Sequence, residues 1–215
     1  MAHDFFWSTF DVNGLLPASW QHDIDSIVPK AVFDDFPRTV FLSREAADVT
    51  HVRRGRVYAD TVRQGLSWLY KLYRGDFLDL AREVYGEGVT AAVDDRYGVV
   101  LNVQRGNTMR FECHVDSNPL TGLLFFTDHP AGGGELVVAH DKNAVGVEAV
   151  ERDGSVIRPQ AGQLIFFDGH NHPHYHRKLQ SEPDVRVVAV MNFYTESHPE
   201  SERPPALNEQ LFGRA

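Results

Sequence analysis

Two periods divide the chain. Between Gly55 and Gly75, the residues Tyr58, Val62, Leu66, Leu69 and Tyr73 recur at steps of three or four, one apolar stripe of a 3.6-residue repeat. The spacing predicts a helix there. A second is predicted from Asp76, a residue suited to an N-cap, through Phe77, Leu80, Ala81 and Val84 to Gly86, which suits a left-handed C-terminal position. Pro17, Pro29 and Pro37 break residues 1–54 into short pieces, with a further helix expected from Ser43. From Val99 the pattern changes to short β-like runs separated by Gly, Pro, Asn and Asp. The runs are Val99–Val103, Met109–Val115, Leu120–Thr127, Glu135–Ala139, Val145–Val150, Ser155–Arg158, Gln163–Phe167, His172–Lys178 and Val185–Tyr194. Such runs predict a sandwich or jelly roll behind a mainly helical N-terminal part, with an irregular tail marked by Pro199, Pro204 and Pro205.

Composition narrows the class. A chain of 215 residues with 42% hydrophobic and 24% charged residues suits one globular domain, 1–215, and excludes both disorder and a disulfide scaffold. The formal net charge of −9 and pI near 5.6 disfavour nucleic acid and anionic lipid as partners. Cys113 is the single cysteine, and the chain shows neither a signal-peptide pattern nor an apolar run long enough to span a membrane, so a cytoplasmic location is expected.

Histidine is the outlier. Of 11 in the chain, four fall at 170, 172, 174 and 176, behind the apolar run Gln163–Phe167 and the turn Asp168-Gly169. By itself this is as readily an exposed His-rich loop. About sixty residues earlier lies His114-Val115-Asp116, whose imidazole and carboxylate share one face of an extended chain. Two histidines and one carboxylate make the facial triad that holds Fe(II) and leaves positions open for oxidant and co-substrate. Arg186 then begins the apolar strand Val187-Val188-Ala189-Val190, and a guanidinium inside a barrel is costly unless it meets a carboxylate. A dicarboxylate co-substrate would supply one. The ordered set is much more specific than any of its members.

Over residues 99–195 the sequence resembles the Fe(II)/2-oxoglutarate dioxygenases, with a prolyl-hydroxylase-like spacing. The resemblance rests on Cys113-His114-Val115-Asp116, Gly133-Gly134-Glu135-Leu136, Leu164-Ile165-Phe166-Phe167, Pro173-His174 and Arg186-Val187-Val188-Ala189-Val190. It implies an α+β fold: a double-stranded β-helix (jelly roll) core over 96–196, a helical layer over 1–95 and a tail over 197–215. It also implies that His114, Asp116 and His174 bind Fe(II) and that Arg186 holds the distal carboxylate of 2-oxoglutarate. Gln104 stands where the prolyl-type pattern often has a tyrosine contacting that co-substrate. A narrower resemblance is carried by His114–Phe126 and Met191-Asn192-Phe193-Tyr194-Thr195. These segments look like a small bacterial group acting on free amino acids, especially lysine, which includes carrier-independent radical halogenases and hydroxylating relatives. The halogenases replace the metal carboxylate with a small residue; Asp116 is retained here, which implies a hydroxylase using Fe(II), 2-oxoglutarate and O2, with ascorbate supportive in vitro.

For the substrate, Glu112 and Asn192 are candidates, each on the expected face of its strand, and Asp94 and Asp95 are further candidates for an ammonium group. His170, His172 and His176 read as solvent or supporting groups, Cys113 as core, and Gly132–Gly134 as a turn. The expected partner is a small molecule; oligomeric state is not legible. Rival readings are a related dioxygenase acting on a peptide or another small molecule, a non-catalytic metal-binding jelly roll, and a zinc hydrolase. The sequence lacks an H-E-x-x-H helix to support the last.

Overall fold

The structure is a computed structural model that describes residues 6–39 and 41–212. Its frame is a large antiparallel sheet ordered β1 (Trp7–Asp11), β9 (Gln163–Phe167), β6 (Leu120–Phe125), β11 (Val185–Tyr194), β5 (Val99–Arg105), β3 (His51–Val57) and β2 (Val32–Pro37). The two-residue β4 (Thr90–Ala91) adds to the end of β11. A second sheet, β10 (His174–His176), β7 (Leu136–Ala139) and β8 (Gly154–Ile157), closes the roll. Four helices, α1 (Trp20–Ile27), α2 (Ala59–Gly65), α3 (Ser67–Arg74) and α4 (Asp76–Tyr85), form a helical layer.

The large sheet is covered on both faces, which is why its central strands read as continuous apolar runs. On β11, Val187, Ala189, Met191 and Phe193 join the core shared with Val62, Leu66, Leu69, Tyr73 and Phe77 of the helices. The alternate residues of β11, Arg186, Val188, Val190 and Asn192, face the interior of the roll, where Val188 packs with Leu123, Phe125, Leu136, Val138, Ile165 and Phe167. Tyr73 ties the layers together: its hydroxyl donates to the Asn192 carbonyl at 2.6 Å and accepts from the Ala92 amide at 2.7 Å. Truncating a fully buried Leu such as Leu69 would cost about 2–5 kcal/mol.

Several expectations are corrected. The first 95 residues are not mainly helical, because β1, β2 and β3 all enter the large sheet. No helix starts at Ser43, which instead makes a single β-bridge to His114. The 58–73 stripe is two helices, broken at Leu66 (φ −125°, ψ 54°) between Gly65 and Ser67, both weaker helix formers than Ala or Leu. Gly65 lets α1 approach, since a Cβ there would lie 2.9 Å from Ile27 Cδ1. Asp76 is the first residue of α4 rather than its cap, which is Gly75. Val145–Val150 is no strand: after Gly146 at φ 81°, Val147–Arg152 forms the short helix α5 with Val150 inward. Met109–Val115 makes only the isolated bridges of His114, because the Leu42 carbonyl, the Arg44 amide and the Glu45 carboxylate take up the backbone groups of Val115 and Cys113. The tail ends in a helix, α6 (Pro205–Phe212).

Candidate active site

Residues 109–118 carry two of the proposed ligands and are fastened from both sides. Glu45 accepts from Arg110 Nη2 at 2.8 Å and from the Cys113 amide at 2.7 Å. Glu112 accepts from the Thr39 amide at 2.7 Å and the Thr39 hydroxyl at 2.6 Å. His114 and His174 are then direct cross-strand partners, with amide-to-carbonyl bonds of 3.0 and 2.9 Å, and the Asp116 amide donates to Gly169 O at 2.8 Å. The two imidazoles and the carboxylate therefore converge: the ligand atoms of His114, Asp116 and His174 lie within 4.8 Å of one another.

Hydrogen bonding sets the tautomers. His114 Nδ1 donates to Glu112 O at 2.8 Å and His174 Nδ1 to His172 O at 2.9 Å, which directs both Nε2 atoms at Asp116, 3.3 and 3.6 Å away. Burial opposes protonation of His114, yet the hydrogen bond and charge of Asp116 outweigh it and raise the imidazole to about 9. Burial holds His174 down to about 4. Burial would raise Asp116, but His174 and His114 pull its carboxyl below the usual carboxylate range. A carboxylate kept ionised between two imidazoles is the donor set a divalent iron needs.

Two supporting residues were not legible in the sequence. Thr121 on β6 donates to Asp116 Oδ2 at 2.5 Å, and Gly169 leaves the space that carboxylate occupies, since a Cβ there would lie 2.2 Å from Oδ2. The four clustered histidines separate by position. His172, His174 and His176 lie on one face of the β10 segment: His172 packs edge-on against Phe6, His174 joins the triad, and His176 meets Arg186. His170 Nδ1 donates to the Asp116 carbonyl at 3.1 Å.

Arg186 is completely buried. Its Nε donates to Gln104 Oε1 at 3.1 Å and its Nη1 to His176 Nδ1 at 2.6 Å, while Nη2 has no hydrogen-bond partner. Guanidinium can only donate, so His176 presents a bare Nδ1; burial and the Arg186 charge hold its pKa well below the ordinary histidine value. Burial pulls Arg186 down to about 9, and no carboxylate pairs with it among the described residues. Gln104 is spent on positioning: its Nε2 donates to Met109 O and Arg177 O, both at 2.8 Å. Gly134, at φ 72°, makes room, for a Cβ there would come within 2.9 Å of Arg186 Cδ. A buried guanidinium with an orphaned donor fits the distal carboxylate of 2-oxoglutarate, because an unmet donor costs about 1–3 kcal/mol that such a carboxylate removes.

Beside the triad lies a cavity of about 160 Å³ whose walls include His114, Asp116, Glu112, Asn192, Arg56 and Asn102. Leu207, Leu211 and Phe212 of α6 also line it. That helix is held down by Tyr97, whose hydroxyl donates to Asn208 Oδ1 at 2.7 Å, and by the edge contact of Phe212 with the Tyr97 ring at 5.2 Å. Asn192 Nδ2 donates to Tyr97 O at 2.8 Å. Asp94 and Asp95 are not among the cavity walls. Asp94 pairs with Arg96 and Arg203, and Asp95 with Arg63 and Arg74. Cys113 is core, with burial pushing its thiol up to about 12, and Gly132–Gly134 form a turn at positive φ.

A roll of two antiparallel sheets backed by helices, with a His-Asp-His triad at one rim, defines an iron oxygenase scaffold. Residues 99–194 match the family model described as the 2OG-Fe(II) oxygenase superfamily, and that span contains the triad, Gln104 and Arg186. That match spans 96 of the 215 residues and, with the triad, supports an enzyme of this class, which uses Fe(II), 2-oxoglutarate and O2. Solved structures share the fold at low identity. A 2OG-Fe(II) oxygenase family oxidoreductase from Burkholderia pseudomallei is 12% identical over 92% of this chain and 89% of that one, with a TM-score of 0.61. The non-heme alpha ketoglutarate dependent epimerase SnoN from nogalamycin biosynthesis is 12% identical over 98% and 87%, at 0.64. A prolyl hydroxylase from Trichoplax adhaerens, solved with a hypoxia inducible factor peptide fragment, is 12% identical over 91% and 86%, at 0.58. No curated protein matches the chain. Among the described residues no helix is long and apolar enough to cross a membrane.

Proposed function

We propose that the protein hydroxylates an unactivated C–H bond of a free amino acid, lysine or another basic one, in the cytoplasm, as a single domain over 1–215. The observation that carries this reading is the cavity itself: of about 160 Å³, next to the triad and walled on one side by α6, it suits a small molecule better than a peptide strand. Among the described residues Glu112 and Asp116 are the only carboxylates in its walls, and with Asp116 on the metal, Glu112 is left for a substrate ammonium. Glu112 makes hydrogen bonds to Thr39 but no ion pair among the described residues. The likeness of His114–Phe126 and Met191–Thr195 to amino-acid hydroxylases points the same way.

His114, Asp116 and His174 would hold Fe(II), and Arg186, positioned by Gln104 and His176, would hold 2-oxoglutarate. Bound together these supply oxidative decarboxylation of 2-oxoglutarate by O2 to succinate and CO2, one oxygen atom entering succinate and the other the substrate C–H bond. The chain's own part is to orient the substrate and exclude water, through Glu112, Asn192 and the apolar residues of α6. A non-catalytic metal holder has no use for the orphaned donor of Arg186.

The test is to incubate the purified protein with Fe(II), ascorbate, 2-oxoglutarate and single amino acids, lysine, ornithine and arginine first, and to follow succinate and the mass of the amino acid. The expected result is succinate release with the gain of one oxygen atom, in high chloride as well as without it. Turnover with no amino acid, or a chlorinated main product, would overturn the reading.

A further inference from the structure

Two buried polar atoms in the substrate cavity lack partners, and they stand opposite each other. Arg56 on β3 and Asn102 on β5 are cross-strand neighbours, both line the cavity, and Arg56 Nε and Asn102 Oδ1 have no hydrogen-bond partner. Directly opposed residues hold their Cβ atoms about 5 Å apart, near enough for these side chains to bond each other. They do not. One orphan is a donor and the other an acceptor, so a single group offering an acceptor and a donor side by side would satisfy both.

The other arginines of the cavity are already neutralised. Arg54 donates to Asp34 at 3.1 Å and stacks over Phe36, and Arg96 pairs with Asp94 at 2.8 Å. Arg56 makes no ion pair among the described residues, and burial together with the charge of Arg54 pulls its guanidinium down to about 10. It therefore lacks an anion. The co-substrate is spoken for by a different arginine: Gln104, which positions Arg186, is two residues further along β5 on the same face, about 7 Å away at strand rise.

We infer that Arg56 and Asn102 clamp the head group of an amino-acid substrate, Arg56 taking the α-carboxylate and Asn102 the α-ammonium, an inference that rests on the reading of the protein as a free amino acid hydroxylase. A phosphate or simple carboxylate would satisfy Arg56 and leave Asn102 Oδ1 bare, and a simple amine would do the reverse. The zwitterionic head satisfies both with groups separated by one carbon atom. Glu112, elsewhere on the cavity wall, is then left for the distal ammonium of a basic side chain.

The experiment is calorimetric titration of the enzyme loaded with Fe(II) and 2-oxoglutarate under nitrogen. L-lysine, L-ornithine and L-arginine come first, then the remaining proteinogenic amino acids. For the tightest ligand, the decarboxylated amine and the deaminated acid are titrated as well. Wild type is expected to bind each analogue about 100-fold more weakly than the amino acid. Arg56→Gln is expected to lose about 100-fold for the amino acid and almost nothing for the amine, with Arg56→Lys in between. Asn102→Leu is expected to lose about 10-fold for the amino acid. Affinity for 2-oxoglutarate should hold in all three variants. The clamp is overturned, with the broader reading intact, if Arg56→Gln binds the amino acid as wild type does, if the amine matches the amino acid on wild type, or if Arg56→Gln loses 2-oxoglutarate instead. Should no amino acid bind to enzyme that binds 2-oxoglutarate, both the reading and the clamp fall. The analogue series on wild type decides the matter even if a variant fails to fold.

Discussion

The two ends of this site are built on opposite terms. At the proposed metal end the side chains are anchored: Asp116 accepts from Thr121 and lies against His114 and His174, and each imidazole is oriented by a backbone carbonyl. At the sheet end, Arg186 and Arg56 keep buried donors with no partner. The metal end rides on a loop and a three-residue strand, whereas the sheet end stands on β3, β5 and β11, whose ladders and two-sided burial make them stiff. Stiff strands can hold a charge away from any partner, because the ladder forbids the movement that would relieve it. A loop cannot, and its polar groups find each other.

The largest expected effect lies at the metal end. His174→Ala should abolish iron-dependent turnover and lower bound iron per protein, whereas His172→Ala, with its side chain bonded to Ala139 O rather than aimed at Asp116, should keep iron. Iron content by absorption spectrometry beside activity checks this, and the reverse outcome would move the distal ligand. Next, Arg186→Lys should raise the KM for 2-oxoglutarate about 100-fold and leave that for the amino acid nearly unchanged, since a point charge does not replace a planar fork. Equal KM values for 2-oxoglutarate in the two proteins would sink the role of Arg186.

A smaller effect tests how firmly the metal end is anchored. Gly169→Ala puts a Cβ 2.2 Å from Asp116 Oδ2, so iron affinity should fall about 10- to 100-fold with the fold intact by circular dichroism. Unaltered iron binding would mean that the Asp116 carboxylate is held more loosely than its contacts imply. Smaller again, Phe212→Ala should open the α6 wall of the cavity. The KM for the amino acid should rise about 5-fold, with succinate formed in excess of hydroxylated product, as water enters the site. A KM and coupling ratio like wild type would remove α6 from the substrate site.

The smallest effect lies beside the sheet end. The hydrogen bond from Arg177 holds Glu151 below its usual carboxylate range. A depressed carboxylate stabilises the fold above its ordinary titration range, and that stability is lost as pH falls through the lower folded value. Wild type should therefore be more stable than Glu151→Gln at pH 7, by under about 1 kcal/mol for a pair about one-third exposed, and the difference in Tm should shrink as pH falls below the carboxylate range. A gap that grew on acidification would contradict the pairing.

Much of the metal end was legible because its spacing is chemical. His114-Val115-Asp116 and the later histidine cluster stand out by residue type and order, the resemblance implied His174 among the four, and the structure brings His114, Asp116 and His174 together; Arg186 stands out by its improbable place in an apolar strand. The histidine cluster needed three dimensions, since strand parity puts His172, His174 and His176 on one face and only their positions along it separate packing, metal and Arg186 contacts. The sheet end hid for a different reason. His51–Val57 alternates, but its inward face carries Arg54 and Arg56, and a charged inward face does not read as a core strand. Glu112 and Asn192 line the cavity, yet the contacts that hold Glu112 come from Thr39, far away in sequence. The α6 wall was missed because Pro204 and Pro205 suggested an irregular tail, while Pro at the first helical position starts α6.

What the sequence determined by itself is the chemistry: two imidazoles, a carboxylate and a guanidinium in an order that suits iron and a dicarboxylate, on strands whose apolar periodicity calls for a two-layer roll. Those features are local or evenly spaced, and period and residue type carry them. What only the tertiary structure decided is which polar groups are left without partners. Glu112 is held by Thr39, Gln104 is spent on Arg186, and Arg56 faces Asn102 across a ladder without bonding it. Satisfaction of a polar group depends on every neighbour the fold brings to it, and no stretch of sequence contains that information.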